Sequence, residues 1–547
     1  MPARLIEKTP SAYTYPLLIK HLLHAPLAHS PDQEIVYRDL VRYSYRGFAE
    51  RLCRLADGLS SLGVKPGDTV GVMDWDSHRY LECFFAVPMM GAILHTVNVR
   101  LSPEQLVYTI DHAEDDVILA NAEFLPVLEQ IRDRLETVKQ FVLLSDAAEP
   151  PATSVPLVAE YEALLARSSA AYDFPELDED TCATTFYTTG TTGLPKGVYY
   201  SHRQLVVHTL AGLSAMAMSP AQGGFHRDDV YMPITPMFHA HAWGYPYMAT
   251  LMGVKQVYPG RYEPAVLLGL IQKEKVTFSH CVATIIYMLL GSPAIAQTDL
   301  SKWKVIIGGG PLPQALCKEA LARGIDIFGG YGLSETCPFI MSAHLSPDMA
   351  GIDEERELEI RCRAGRPNPL VDLRIVDEAM DDVPHDGKTT GEIVVRAPWV
   401  TMGYLKDERN SEALWAGGYL HTGDIGSIDE FGYLQVSDRI KDVIKTGGEW
   451  ISSLELENIV GQHPSVSEVA VIGLPDEKWG ERPLALVVLR TGAADDAAAI
   501  RGFVLDYAEK GVISKYAVPD KIVFVDALEK TSVGKLDKKL LRRKYVE

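Results

Sequence analysis

The chain has 547 residues and a net charge of −21, with 47% apolar and 23% charged residues. That length exceeds what one hydrophobic core can organise, so at least two domains are expected, with the composition of an ordinary soluble globular protein. The acidic balance argues against a nucleic-acid binder with a broad basic face, and seven scattered cysteines without a C-x-x-C pair point to neither a zinc site nor a disulfide framework, but to a reducing cytoplasm.

The N-terminus lacks a signal-peptide pattern, since Glu7 and Lys8 precede only a short apolar segment. Helical and strand-like patterns alternate over residues 1 to about 175, the sign of a layered α/β domain. Residues 45–62 place Phe48, Leu52, Leu55, Ala56 and Leu59 at helical spacing, and 63–68 turn into a strand at 69–72. The longest apolar run, 83–94, is twelve residues and contains Pro88. It falls short of the ~18 apolar residues of a membrane span and reads as buried core. Residues 146–156 read as a surface loop.

Tyr187-Thr188-Thr189-Gly190-Thr191-Thr192-Gly193-Leu194-Pro195-Lys196-Gly197-Val198 packs four threonines, three glycines and a lysine into one loop. β-Branched and aromatic residues on both sides predict strand, loop, strand. Glycines let backbone N–H groups turn toward an anion, hydroxyls add donors and the lysine adds charge, so the loop reads as a phosphate cradle or a polar hairpin. It is not the P-loop of GTPases, because no Gly-Lys-Ser/Thr follows at the required spacing.

Pro236-Met237-Phe238-His239-Ala240-His241-Ala242-Trp243-Gly244 follows. His-x-His without a carboxylate or cysteine at ligand spacing is a weak metal signal, and a histidine packed at a strand-to-helix junction is the plainer reading. Trp243 suits either a core or a tunnel mouth. Two strand-like runs open into glycines, Trp303 to Gly308-Gly309-Gly310 and Asp326-Ile327-Phe328-Gly329-Gly330-Tyr331-Gly332-Leu333-Ser334-Glu335-Thr336. Such strand ends are where α/β sheets admit a planar base. Tyr419-Leu420-His421-Thr422-Gly423-Asp424 ends in a turn aspartate. Residues 438–451 carry Arg439, Lys441, Lys445 and Gly447-Gly448-Glu449-Trp450. Ser452-Ser453-Leu454-Glu455 is a capping box before Leu456, Ile459 and Val460, with strands at 469–472 and 484–489. Lys530-Thr531-Ser532-Val533-Gly534-Lys535 ends on a lysine that can reach a cleft as a point charge or serve as one more tail lysine.

Six of these motifs, in this order over residues 187–535, resemble the adenylate-forming superfamily: acyl-CoA synthetases, luciferases and peptide-synthetase adenylation domains. Thr189 stands where Ser is commoner, and Ser334 where Thr is. The resemblance implies a large N-terminal α/β domain of several subdomains, residues 1–438, and a small α+β lid, 439–547. By it, Thr188, Thr189, Gly190, Thr191, Thr192 and Lys196 hold ATP phosphates, and Gly309, Gly330, Tyr331, Gly332 and Ser334 surround adenine and the α-phosphate. Asp424 and Arg439 bind ribose, and Glu335, with Thr188, holds Mg²⁺. Lys535 is the catalytic lysine, Lys441 the hinge, and Lys445, Gly447, Gly448, Glu449 and Trp450 line the CoA tunnel. His239 borders the acid, Trp243 gates its tunnel, and Gly308, Gly310, Tyr245, Val282 and Ala283 are candidate walls. Amino-acid adenylases carry aspartate where His239 stands, which excludes a free amino acid.

The implied reaction joins a carboxylic acid, medium-chain fatty by likeness to bacterial fatty-acyl-CoA synthetases, to CoA with ATP as co-substrate. Loading of a carrier protein and an aryl or thioether-bearing acid are the alternatives. No nucleic-acid partner and no stable membrane insertion are expected, and a homodimer is expected by analogy with relatives.

Overall fold

The computed structural model describes residues 4–546 apart from 148, 150, 189–193, 220, 221, 347, 348, 350, 447, 448, 494 and 532–534; the side chains of Glu449 and Trp450 also lie outside the described part. The described residues form four sheets. A seven-stranded sheet runs in the order Leu157–Glu160, Gln140–Leu144, Asp115–Asn121, Thr69–Met73, Ile93–Thr96, Cys182–Tyr187 and Gly197–Ser201. All of its neighbours are parallel except the last pair, the antiparallel arms on either side of the threonine- and glycine-rich loop.

The predicted helix is Tyr45–Ser61, opened by Ser44 accepting from the Gly47 N–H and burying Phe48, Leu52, Leu55, Ala56 and Leu59. The apolar run 83–94 falls in the helix His78–Met89 and the strand Ile93–Thr96. That helix is buried on every side because it packs against strands of both large sheets. Among the described residues no helix is long and apolar enough to cross a membrane.

The second large sheet has nine strands. Val230–Pro233, Phe278–Cys281, Lys304–Ile307 and Asp326–Gly332 lie side by side and parallel, so their carboxyl ends open at one edge. The glycine-rich segments 308–310 and 329–332 leave from that edge, the usual place for a ligand crevice in an α/β sheet. A four-stranded antiparallel sheet, Asp372–Val376 through Leu434–Arg439, sets Asp424 opposite Arg439 in register.

Residues beyond 443 build a five-stranded sheet with the helices Ser453–Gly461, Ala497–Glu509 and Lys538–Tyr545. Ser452 caps the first of these, accepting from the Glu455 N–H. The two hydrophobic clusters of this region contain Ile444, Leu456, Val487, Ile500 and Leu541 and no residue from the larger part. Asp438 joins the parts by accepting from the Ser453 N–H and hydroxyl, both at 2.6 Å.

Leu456→Ala empties a site that is 1% exposed in this small core, at a cost of about 2–5 kcal/mol. Calorimetry should show the melting of this small five-stranded unit lowered by roughly 10 °C or more, with the larger part in place.

Candidate active site

A cavity of 120 Å³ lies at the carboxyl edge of the nine-stranded sheet, with Ile234, Val282 and Ile285 as apolar wall and His239, Trp243, Gly309 and Lys535 facing in. Val282 precedes the helix Ala283–Leu290 and lines the cavity, whereas Ala283 and Tyr245 do not. Tyr245 stacks on His280 in the core at 4.7 Å.

The chain reaches the cavity through an unusual turn. Ala240, His241, Ala242 and Trp243 have φ of 48, 55, 47 and 59°, and Gly244 follows at 76°. Each non-glycine residue in this left-handed region costs about 1–2 kcal/mol. The turn sends His239 and Trp243 to the cavity and His241 into the core, so the two histidines do not face one ion. Among the described residues no three His, Cys, Asp or Glu side chains converge as a metal cage. The Trp243 ring covers Gly308, where a Cβ would come 2.9 Å from Cη2. Gly310 is exposed and outside the cavity.

Lys535 crosses from the small part of the chain into this cavity. Its stem lies over Gly309, where a Cβ would meet Lys535 Cε at 2.9 Å and where φ is 74°, so glycine suits both the approach and the backbone. Burial and then the Arg439 guanidinium pull the ammonium down to about 8, while Asp424 and Glu335 pull upward. His239 is held far lower, at about 3, by burial and next by Lys535 and Arg100. Its imidazole is therefore neutral throughout the physiological range.

Around this lysine the predicted nucleotide residues converge in two groups. Tyr331 donates its hydroxyl to Asp424 Oδ2 at 2.7 Å, and Arg439 Nε lies 3.2 Å from Asp424 Oδ1. Burial raises the Asp424 carboxyl and Arg439 opposes that rise. Gly330 and Gly332 flank Tyr331, and a Cβ on Gly332 would fall 1.6 Å from the Pro338 carbonyl, so no other residue fits there. Ser334 and Glu335 sit in the short helix Ser334–Thr336.

In the second group Tyr404 donates to Glu335 Oε1 at 2.7 Å while the Lys196 ammonium lies 4.5 Å from the centre of the Tyr404 ring. Thr188 pairs with Lys196, donating its N–H to the Lys196 carbonyl at 2.9 Å and accepting at Oγ1 from the Lys196 N–H. These bonds close the base of the loop, and Thr189, Gly190, Thr191 and Thr192 lie outside the described residues.

The hairpin predicted to carry CoA is present as Ile444–Thr446 paired with Glu449–Ile451. The Lys445 N–H donates to Glu481 at 2.9 Å. Gly447, Gly448 and the side chains of Glu449 and Trp450 lie outside the described part. Lys441 is exposed in the turn between Leu434–Arg439 and this hairpin, whose described side chains, Ile444–Thr446 and Ile451, are not in the cavity lining.

The motif reading misses Tyr404, Tyr262 and Arg100. Tyr262 and Arg100 line the cavity, and Tyr262 donates to buried Asp76, whose carboxyl burial raises to about 8. Arg100 lies 5.9 Å from the ring centres of both Trp75 and Phe238. Each works through residues far away in sequence. The local signal for Tyr404 is a loop glycine, Gly403, directly before an aromatic.

The AMP-binding enzyme family model matches residues 23–405, and the AMP-binding enzyme C-terminal domain model matches 455–535. The chain is 41% identical to a long-chain-fatty-acid–CoA ligase of Thermus thermophilus, covering 94% of this chain and 93% of that one. It is 38% identical to a 3-methylmercaptopropionyl-CoA ligase of Ruegeria lacuscaerulensis, covering 97% and 98%. Among solved structures it resembles an anthranilate CoA ligase in complex with anthranoyl-AMP, with a TM-score of 0.84, 25% identity and coverage of 97% and 98%.

Lys535 should titrate near 8 in carbon-13 NMR of the reductively methylated protein, more than two units below an ordinary lysine. Asp424→Asn removes a charge that raises it, so the midpoint should move further down.

Proposed function

The chain belongs to the AMP-binding enzyme family, and from that premise we propose how its residues share the work of an ATP-dependent acyl-CoA synthetase. The enzyme is an AMP-forming acid–thiol ligase: carboxylic acid, ATP and CoA give acyl-CoA, AMP and pyrophosphate through an acyl-adenylate. The observation that carries the reading is the reach of Lys535 across Gly309 into the cavity, beside His239 and within the field of Asp424 and Glu335.

In the first half-reaction a carboxylate oxygen attacks the α-phosphorus of ATP. The bond to the β-phosphate breaks, and pyrophosphate leaves with the electron pair. The Lys535 ammonium offsets charge building on the carboxylate and α-phosphate oxygens. Neutral His239 shapes the acid end of the site and adds no charge. Asp424, oriented by Tyr331 and Arg439, accepts from the ribose hydroxyls, Tyr331 and its flanking glycines receive adenine, and Ser334 bonds the α-phosphate. Thr188, Lys196 and the loop 189–193 take the β- and γ-phosphates. Glu335 suits Mg²⁺, because one carboxylate with phosphate oxygens and waters is a common donor set for that ion and Tyr404 already orients the carboxylate. Bound there, Mg²⁺ would screen the charge of the departing pyrophosphate.

For the second half-reaction residues 439–547 turn about Lys441. Lys535 withdraws, and the hairpin from Lys445 to Trp450 guides the pantetheine arm. The CoA thiolate attacks the acyl carbonyl and AMP leaves. The reaction is assigned to the cytoplasm, where the seven free cysteines stay reduced.

The cavity's size bears on the acid. At 120 Å³ it is near the ~150 Å³ that takes a benzene-sized guest in another protein. With Trp243 seated on Gly308 the tail is about four to six heavy atoms, the short end of the medium-chain range. A thioether tail like that named for the Ruegeria relative fits the same space.

AMP and pyrophosphate release should be measured across acids from acetate to palmitate, with benzoate and 3-methylmercaptopropionate, with and without CoA. CoA-dependent AMP peaking on a short tail is expected; pyrophosphate release indifferent to CoA would move the acceptor to a carrier protein. Lys535→Ala should cut acyl-AMP formation by about 10²–10³-fold and spare CoA transfer from supplied acyl-AMP. Equal loss in both halves would sink that division. Trp243→Ala should move the optimum to longer acids.

A further inference from the structure

The left-handed run Ala240–Trp243 persists because something outweighs its backbone strain, and the contacts of His241 show what does. The ring is fully buried. Its centre lies 4.9 Å from Phe186 and 5.6 Å from Phe84, each met edge to face, with Tyr200 and Tyr247 both at 6.3 Å. Its Nε2 is 2.7 Å from Thr184 Oγ1, which is also 2.9 Å from the Leu94 carbonyl. A carbonyl only accepts, so the single Thr184 proton goes to Leu94. The Thr184 oxygen then accepts from Nε2–H of His241, which fixes the ring's tautomer. Nδ1 is buried without a partner among the described residues, so this one bond gives the imidazole its polar anchor and its orientation.

Thr184 stands on Cys182–Tyr187, the strand that leads into the phosphate loop. Two residues before His241 comes His239, and two after comes Trp243, both in the cavity wall. Of the other members of the turn, Ala240 and Ala242 carry no polar side chain and Trp243 faces the cavity. The turn is thus pinned at its centre to the seven-stranded sheet, and Trp243 is held on Gly308 by where that pin lies.

We propose that His241, through Thr184, is a specificity-determining positioning residue: it holds the strained turn that seats Trp243 and so limits the length of acid tail the cavity accepts. This rests on the cavity being the acid site. If the turn loses its pin, it relaxes toward ordinary backbone, the Trp243 ring leaves Gly308 and longer tails enter. The adenine and ribose groups lie on other segments, and Thr188, which directly follows the strand that carries Thr184, keeps its place through its two bonds to Lys196.

The test is Thr184→Val, which removes the accepting hydroxyl and keeps the branched shape, beside Thr184→Ser, which keeps the hydroxyl. For each, kcat/KM is measured for butyrate and decanoate together with KM for ATP. Thr184→Val should raise the decanoate-to-butyrate ratio about tenfold, the low end of what small steric changes in an apolar pocket produce, with KM for ATP within about twofold. Thr184→Ser should keep the wild-type ratio, and Trp243→Ala combined with Thr184→Val should match Trp243→Ala alone. A Thr184→Val enzyme that melts normally and keeps the wild-type ratio overturns the proposal, as does a uniform loss on both acids. His241→Gln, which retains an N–H donor, should lie nearer wild type than His241→Leu; the reverse order counts against the anchor. Absence of acyl-AMP from every acid in the wild-type enzyme would remove the acid-site reading itself.

Discussion

A lysine charge carried into a cleft poor in water is the interaction on which this structure turns. An ammonium there is destabilised by lost hydration and by Arg439, and it is kept by Asp424 and Glu335. The balance leaves Lys535 charged at neutral pH but only narrowly so. A charge that has already lost its water is the kind that interacts strongly with a developing anion, because little solvent must reorganise when that anion forms. Gly309 is part of the same arrangement, because a side chain there would occupy the path of the lysine stem.

The opposing charges show how an acidic chain can serve an anionic substrate. The net charge of −21 is felt weakly at the cleft, because exposed charges are screened over ~8 Å. Within the cleft the cations are placed one by one. Arg439 is opposite Asp424 across an antiparallel pair, and Lys196 is on the Tyr404 ring whose hydroxyl holds Glu335. Arg439 thus pairs directly with a carboxylate, and Lys196 sits on the ring whose hydroxyl orients one.

The parts legible in the sequence are those written in local patterns. The helix of 45–61, the burial of 83–94, the arms of the phosphate loop, the Ser452 cap and the glycine-ended strands all follow from composition, periodicity, capping or turn chemistry. The adenylate-forming motifs find Lys535, Asp424, Arg439, Tyr331 and Glu335, and these converge. Tyr404 and Arg100 escape because their partners lie far off in the chain, and spacing says nothing of such contacts. The run Ala240–Trp243 escapes for a stronger reason. Alanine, histidine and tryptophan favour ordinary backbone, so local propensity points away from the observed turn. A left-handed glycine such as Gly244 announces that a turn ends, not that four residues before it are left-handed.

The same contrast bears on how two half-reactions share one cleft. Lys535 and the hairpin Ile444–Thr446/Glu449–Ile451 belong to one small sheet-and-helix unit, and among the described residues the cavity lining includes the lysine and neither Ile444–Thr446 nor Ile451. A rigid unit presents one face at a time to a cavity of this size. If both faces serve the reaction, they must serve in turn, and the lysine's departure is what makes room. Such an exchange also fits the chemistry. On the proposed roles, the ammonium serves while pyrophosphate leaves, and its withdrawal then clears the side of the mixed anhydride. The thiolate then requires an open approach to the acyl carbon. A small unit with its own hydrophobic core can carry its lysine into and out of the cleft without unfolding either part.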